Sequence, residues 1–246
     1  MAASMALLTD ELESPRQRSA AQMIQARFLS ECGDYDAAIG AFEAARTELL
    51  NVLDPAHSST AGLSYWVGLV HLNRRELEKA RAVFETILSA EDNGAAAWLT
   101  LKRLARMSLA VTQIEQGAVE VALPVLQDTF NHYHANPDTA RFRMSEAEVS
   151  LNLGLAHLQL GNARSALPLL QRSVDAMQAN HPRSPALASN RCWLGLCCLA
   201  LGDSAQAQLL AEQARQAFVA QPSAGIHYRR SLLLLTARLA ATAKSD

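Results

Sequence analysis

LNLGLAHLQLGNARSALPLLQRSV, the stretch from Leu151 to Val174, decides how the rest of the chain reads. Apolar residues recur at helical intervals on either side of Gly161–Asn162. That pattern predicts two short amphipathic helices joined by a tight turn. With Ala166 as an anchor, Gly161 lies five residues before it and Gly154 twelve before it. Leu170 and Ser173 lie four and seven residues after it.

The same frame recurs along the chain. Ala207 has Gly195, Gly202, Ala211 and Ala214; Ala122 has Ala110, Gly117, Leu126 and Thr129. Ala80 has Gly68, Phe84 and Ile87, with Arg75 in the turn position; Ala38 has Ala26, Gly33, Phe42 and Ala45. The anchors at 38, 80, 122, 166 and 207 are spaced by 42, 42, 44 and 41 residues. A fixed period of this size marks a stack of helical hairpins.

The residue types have a physical reason. A small residue on the first helix and the anchor alanine on the second let the two helices cross closely. The bulky residue after the anchor fills the space between them. The turn glycine supplies a positive φ at the end of the first helix. Asp34, Asn162 and Asp203 follow turn glycines and suit the start of the second helix. Pro124 and Pro168 read as first- or second-turn prolines, where a missing N–H matters little.

Composition agrees. Half of the 246 residues are hydrophobic and only 5% aromatic, so alanine supplies much of the apolar content. β-branched runs are scarce, which leaves strands little support. The formal net charge is −2, which argues against a general nucleic-acid binder. Cys32, Cys192, Cys197 and Cys198 fall in apolar helical contexts with no CxxC, the pattern of buried free thiols in a reducing cytosol. The first residues, MAASMALLTDELESPRQR, lack the basic region of a secretory signal, and Leu232–Leu235 is too short an apolar run to span a bilayer. A soluble, cytoplasmic protein, or a piece of a larger one, is expected.

The frame resembles the tetratricopeptide repeat, a helix–turn–helix unit. The small–aromatic–small signature of its second helix is carried by GDYDAAIGAFEAA, Gly33 to Ala45. The period near 42 resembles the variant of kinesin light chains and many bacterial regulators. So do the ALPLL and ALPVL runs at Ala166–Leu170 and Ala122–Leu126, and the loop dipeptides His181–Pro182 and Asn136–Pro137. The expected organisation is an N-terminal segment at 1–16 and five repeats at about 17–56, 57–94, 95–137, 138–182 and 183–223. A capping helix and tail follow at 224–246. A short helix over Ser4–Glu13 precedes the repeats, and a final helix over about Ala224–Ala241 covers the last apolar face.

The resemblance implies an all-α solenoid, a right-handed superhelix whose first helices line a concave groove. It implies a non-enzymatic scaffold or adaptor that binds a peptide or helix of a partner protein there. Two other readings stand beside it, a peptide-sensing regulator and a secretion chaperone. Counting from the small residue of each first helix places Arg27, Tyr65, Trp66, Met107, Leu151, Asn152, Leu155 and Trp193 in the groove. Trp66 and Trp193 occupy equivalent positions, two before the small residue. Each either anchors an apolar ligand or packs against a neighbouring repeat or a terminal helix. Asn152 sits where the kinesin-light-chain variant holds the main chain of a bound peptide, a task suited to an amide.

Catalytic and metal signals are weak. His132 and His134 face different directions on one helix, and His71 and His157 read as core or groove-edge residues. No serine or cysteine has a persuasive base partner, and no phosphate loop follows a strand. Arg103, Arg106, Arg141, Arg143, Arg183 and Arg191 read as solvated faces or as a stripe for an acidic peptide. No cofactor, metal, nucleic acid or membrane insertion is expected. The oligomeric state stays open, a homodimer included.

Overall fold

A computed structural model of the chain describes residues 14–91, 94–135 and 140–243, with side chains from Glu146 onward in the last stretch. The expected Ser4–Glu13 helix, the Asn136–Pro137 loop and the side chains of Arg141 and Arg143 lie outside the described residues. Among the described residues there are eleven α-helices and no strand. The first five are α1 (Pro15–Cys32), α2 (Tyr35–Leu50), α3 (Ser58–Arg74), α4 (Leu77–Ser89) and α5 (Ala96–Glu115). Then come α6 (Val119–His134), α7 (Ala140–Gln159), α8 (Ala163–Asn180), α9 (Pro185–Ala200), α10 (Ser204–Ala220) and α11 (Ile226–Thr242).

The turns follow the glycine rule. Gly33, Gly117, Gly161 and Gly202 have φ of 85°, 85°, 77° and 88°. Arg75, in the glycine position of its repeat, is held at φ 68°, the one non-glycine residue with positive φ among the described residues. Asp34 and Asp203 cap their helices by accepting from the N–H of Ala37 and Gln206 at 3.4 and 2.9 Å. Asn162 occupies the same place without a side-chain capping bond.

The first helix starts at Pro15, because Ser14 and Gln17 form a capping box and proline tolerates the first helical position. The second ends at Leu50. Pro124 and Pro168 are each the sixth residue of their helix, in the second turn as expected, but beyond the free N–H groups of the first turn, so the missing N–H does count. Each therefore removes one helical hydrogen bond. Both prolines are exposed, as are Glu120 and Arg164, whose carbonyls lose that partner, so water can take its place.

The helices form two compact units, one through Gln116 and one from Gly117. In the first unit, Ala38, Phe42, Ala45 and Leu49 of α2 pack with Ala26 of α1 and with Leu63 and Val70 of α3. Ala80, Phe84 and Ile87 of α4 pack with Tyr65 of α3 and with Trp98, Leu101 and Ala105 of α5. In the second unit one continuous core runs through α8, α9, α10 and α11. Each unit is thus a run of stacked hairpins, the all-α solenoid the repeat predicts. Fully burying a side chain the size of Leu170 or Phe84 stabilises by about 1.5–3 kcal/mol, so these rows supply much of the fold's stability.

The helix crossings explain the small residues. A Cβ added to Gly68 would lie 2.7 Å from Phe84 Cε1, and one added to Gly154 would lie 2.8 Å from Leu170 Cγ. Repeat five departs from this pattern, because the residue after its anchor is the small Ala211. There Leu235 of α11 fills the gap, with its Cδ2 2.7 Å from a Cβ built on Gly195. Ser189 of α9 and Ser231 of α11, 42 residues apart, share a 3.0 Å hydrogen bond. The capping helix therefore stands in register as a sixth first helix.

Candidate partner-binding surface

On α3, Tyr65 and Trp66 point in different directions. Tyr65 is buried, and its hydroxyl shares a 3.1 Å hydrogen bond with Ser108 Oγ of α5. Trp66 is half-buried. One face stacks on Phe42 of α2 with centroids 6.2 Å apart and planes 8° apart. The Arg27 guanidinium of α1 lies 4.7 Å from its ring centroid, a cation–π contact. Trp66 thus packs on the preceding repeat and still reaches the surface. There it helps line a cleft of about 510 Å³ with Ala20, Met23, Leu49, Leu53 and Gly62, and with Arg16, His57 and Ser59 at its polar edge. Met107 is buried, so like Tyr65 it serves packing between helices. Arg27 is exposed.

In the second unit Leu151, Leu155 and Leu158 of α7 and Trp193, Leu196 and Leu199 of α9 are half-buried along the edge of the core. They make an apolar strip on the first helices. Asn152 is buried beside it. The two tryptophans and three of the named aliphatic and cationic residues, Leu151, Leu155 and Arg27, therefore keep surface to offer, whereas Tyr65, Met107 and Asn152 lie inside.

A second cleft of about 510 Å³, absent from the sequence reading, is lined by Thr60, Ala61, Val83, Ile87 and Trp98, among others. Thr60 is buried and its hydroxyl has no hydrogen-bond partner. No motif signals this cleft, because its walls come from four helices and two loops.

The remaining polar groups serve structure. His71 Nδ1 lies 2.6 Å from Glu76 Oε2 at the α3–α4 turn. The His71 bond, followed by one from Lys79, holds the Glu76 carboxyl below the usual carboxylate range. Burial works to raise the Glu146 carboxyl, but contacts with His134 and Arg172 at 3.1 and 2.5 Å outweigh it and hold the group low. Burial pushes the Cys192 and Cys197 thiols up to about 11, so both are protonated at neutral pH and poor nucleophiles. All four cysteines are free. Among the described residues no group of three or more His, Cys, Asp or Glu side chains is placed to hold a metal ion, and no helix is long and apolar enough to cross a membrane. Arg191 bonds Gln178 at 2.5 Å, and Arg106 and Arg183 are exposed.

Two family models, each described as tetratricopeptide repeat, match residues 25–97 and 145–218. No curated protein matches the chain. Among solved structures, a Rap protein complexed with competence and sporulation factor is similar with a TM-score of 0.68 and 12% identity, over 99% of this chain and 70% of that one. PlcR of Bacillus thuringiensis, solved with the peptide PapR7 and DNA, gives 0.67 and 14%, over 88% of this chain and 74% of that one. A thermophilic TPR protein of Thermus thermophilus gives 0.54 and 22%, over 87% of this chain and 99% of that one. At these identities the likeness is one of fold.

Proposed function

The chain belongs to the tetratricopeptide repeat family, and we propose that it is a non-enzymatic interaction module that holds a peptide or helix of a partner protein on its first helices. The observation that carries this reading is Trp66, a large ring that is only half-buried and opens onto an apolar cleft. A rigid aromatic at the wall of a cleft is the usual anchor of an interface. Trp193 and the leucines of α7 and α9 offer a second apolar strip. The Rap protein and PlcR were each solved with a bound factor or peptide, which adds weight to a peptide ligand. The cation over Trp66 and the arginine at the cleft edge favour a ligand with an apolar anchor flanked by an acidic residue. The protonated, buried thiols fit a reducing compartment, and we place the module in the cytoplasm of a bacterial cell, with no nucleic-acid or membrane partner. Its repeats divide near residues 56, 94, 137, 182 and 223.

Peptide display against the full chain tests the reading. Selected peptides are expected to share a large apolar residue beside an acid, and Trp66→Ala is expected to abolish their enrichment. A selection with no shared anchor, or one unchanged by Trp66→Ala, would overturn it.

A further inference from the structure

The second cleft shares no lining residue with the Trp66 cleft. It opens where second helices end and first helices begin: near the ends of α2 and α4 and the starts of α3 and α5. One short side chain accounts for it. Thr60 lies eight residues before Gly68, and the same place in the other repeats holds Arg18, Lys102, Glu146 and Leu187, all longer. Arg18 reaches Glu48 of α2 at 2.9 Å, Lys102 reaches the Ala90 carbonyl after α4 at 2.7 Å, and Glu146 reaches Arg172 of α8 at 2.5 Å. Leu187 is buried in the core. Thr60 bridges to nothing, and its neighbours Ala56, Ala61 and Ser64 are small too.

The lining changes character from floor to mouth. Thr60, 1% exposed, marks the floor, and its hydroxyl is desolvated without a partner. Ser64 stands one turn further along α3 on the same face. Val83, Ile87 and Trp98 make apolar walls. Arg46 of α2 and Glu91 after α4 are exposed at the mouth, and neither forms an ion pair among the described residues. A volume of about 510 Å³ is that of a small-molecule site, within the usual range of about 300–1,000 Å³.

We propose that this cleft binds a free amino acid with a hydroxylated aromatic ring, tyrosine or a close analogue. The ring fills the apolar middle, where a rigid aromatic offers much contact area at little rotamer cost. The ring hydroxyl gives Thr60 the partner it lacks, which a buried hydroxyl needs. At the mouth the carboxylate meets Arg46 and the ammonium meets Glu91, so one ligand satisfies both charges. The site is separate from the first-helix surface and does not depend on a peptide binding there.

Titration of L-tyrosine into the full chain, followed by the NMR signal of the Trp98 indole N–H, tests the proposal. The signal is expected to shift saturably. Phenylalanine, tyramine and 3-(4-hydroxyphenyl)propanoate each lack one polar end and are expected to bind at least about fivefold more weakly. Thr60→Val keeps the side chain's shape and is expected to weaken tyrosine by about fivefold and erase its preference over phenylalanine. Ala82→Phe fills the cleft from an exposed position and is expected to abolish the shift, whereas Trp66→Ala leaves it intact. No saturable shift overturns the proposal. So does equal binding of phenylalanine by the wild type, or a shift that survives Ala82→Phe. Binding of tyrosine only within a longer peptide would assign the cleft to a partner's side chain and overturn it as well.

Discussion

Two glycine-to-alanine substitutions, one at Gly68 and one at Gly40, are expected to move stability in opposite directions. Both glycines lie inside helices, where alanine is favoured by about 1 kcal/mol. At Gly40 on α2 a new Cβ meets nothing within 4 Å, so that gain is kept. Gly40→Ala is expected to stabilise by about 0.5–1 kcal/mol. At Gly68 the new Cβ would lie 2.7 Å from Phe84 Cε1, 3.0 Å from Val83 Cγ1 and 3.1 Å from Phe84 Cζ. The Phe84 ring is fully buried and tilted against Tyr65 at 5.8 Å, so it has little room to swing away. Overpacking of this kind costs about 1–3 kcal/mol, which offsets or exceeds the helix gain and leaves Gly68→Ala destabilised by up to about 2 kcal/mol. Gly154→Ala meets Leu170 Cγ at 2.8 Å and falls between the two; Gly195→Ala presses closely only on the tip of Leu235, with the Ala207 carbonyl at an ordinary 3.5 Å, and should be the mildest of the three crossings. Urea unfolding followed by circular dichroism gives the midpoints. Equal stabilisation by Gly40→Ala and Gly68→Ala would refute the close-crossing account of the repeat.

Three further outcomes follow from particular side chains. Thr60→Val removes a buried hydroxyl with no partner and is expected to raise stability by about 1 kcal/mol; a loss of stability in thermal unfolding would mean that the hydroxyl is satisfied in solution. Leu235→Ala removes the fully buried side chain of α11 that fills the gap over Gly195 and is expected to cost about 2–5 kcal/mol, whereas Leu233→Ala on the exposed side should change stability by less than about 0.5 kcal/mol. Glu76, held low by His71 and then Lys79, stabilises the fold above its ordinary value of 4.5, and that contribution is lost as pH falls through its lowered folded value. Glu76→Gln should therefore lower the urea midpoint at pH 7 and lower it less under strongly acidic conditions; a gap independent of pH would remove the carboxylate from the α3–α4 turn.

The architecture was legible because its information is local and repeated. Small residues, anchors and turn positions recur at a constant spacing, and even Arg75 took the left-handed turn its place in the frame required. Helix starts were harder. Ser14 and Gln17 carry a capping-box signal, but Pro15 reads equally well as a boundary. The binding surface was legible only in part. Positions two and three before the small residue lie next to each other on a helix, and the count assigned both to the groove. Packing separates them: Tyr65 turns in to Ser108, while Trp66 lies between Phe42 and Arg27. Leu235 escaped because it fills a repeat-five gap from outside that repeat, a long-range contact with no local signal.

The central claim is that the first helices, through Trp66 and Trp193, hold a partner. Quantitative affinity capture with the full chain tests it most directly, comparing wild type with Trp66→Ala/Trp193→Ala and with Leu209→Ala/Val219→Ala. Leu209 and Val219 are 52% and 76% exposed, apolar, and on the second helix α10, so they control for loss of surface hydrophobicity. Loss of an aromatic anchor is worth about 2 kcal/mol or more, so capture of the wild-type partner should fall by roughly thirtyfold with the tryptophan variant. The α10 variant should leave it unchanged. Equal capture by all three proteins, each verified as folded by circular dichroism, would contradict the account.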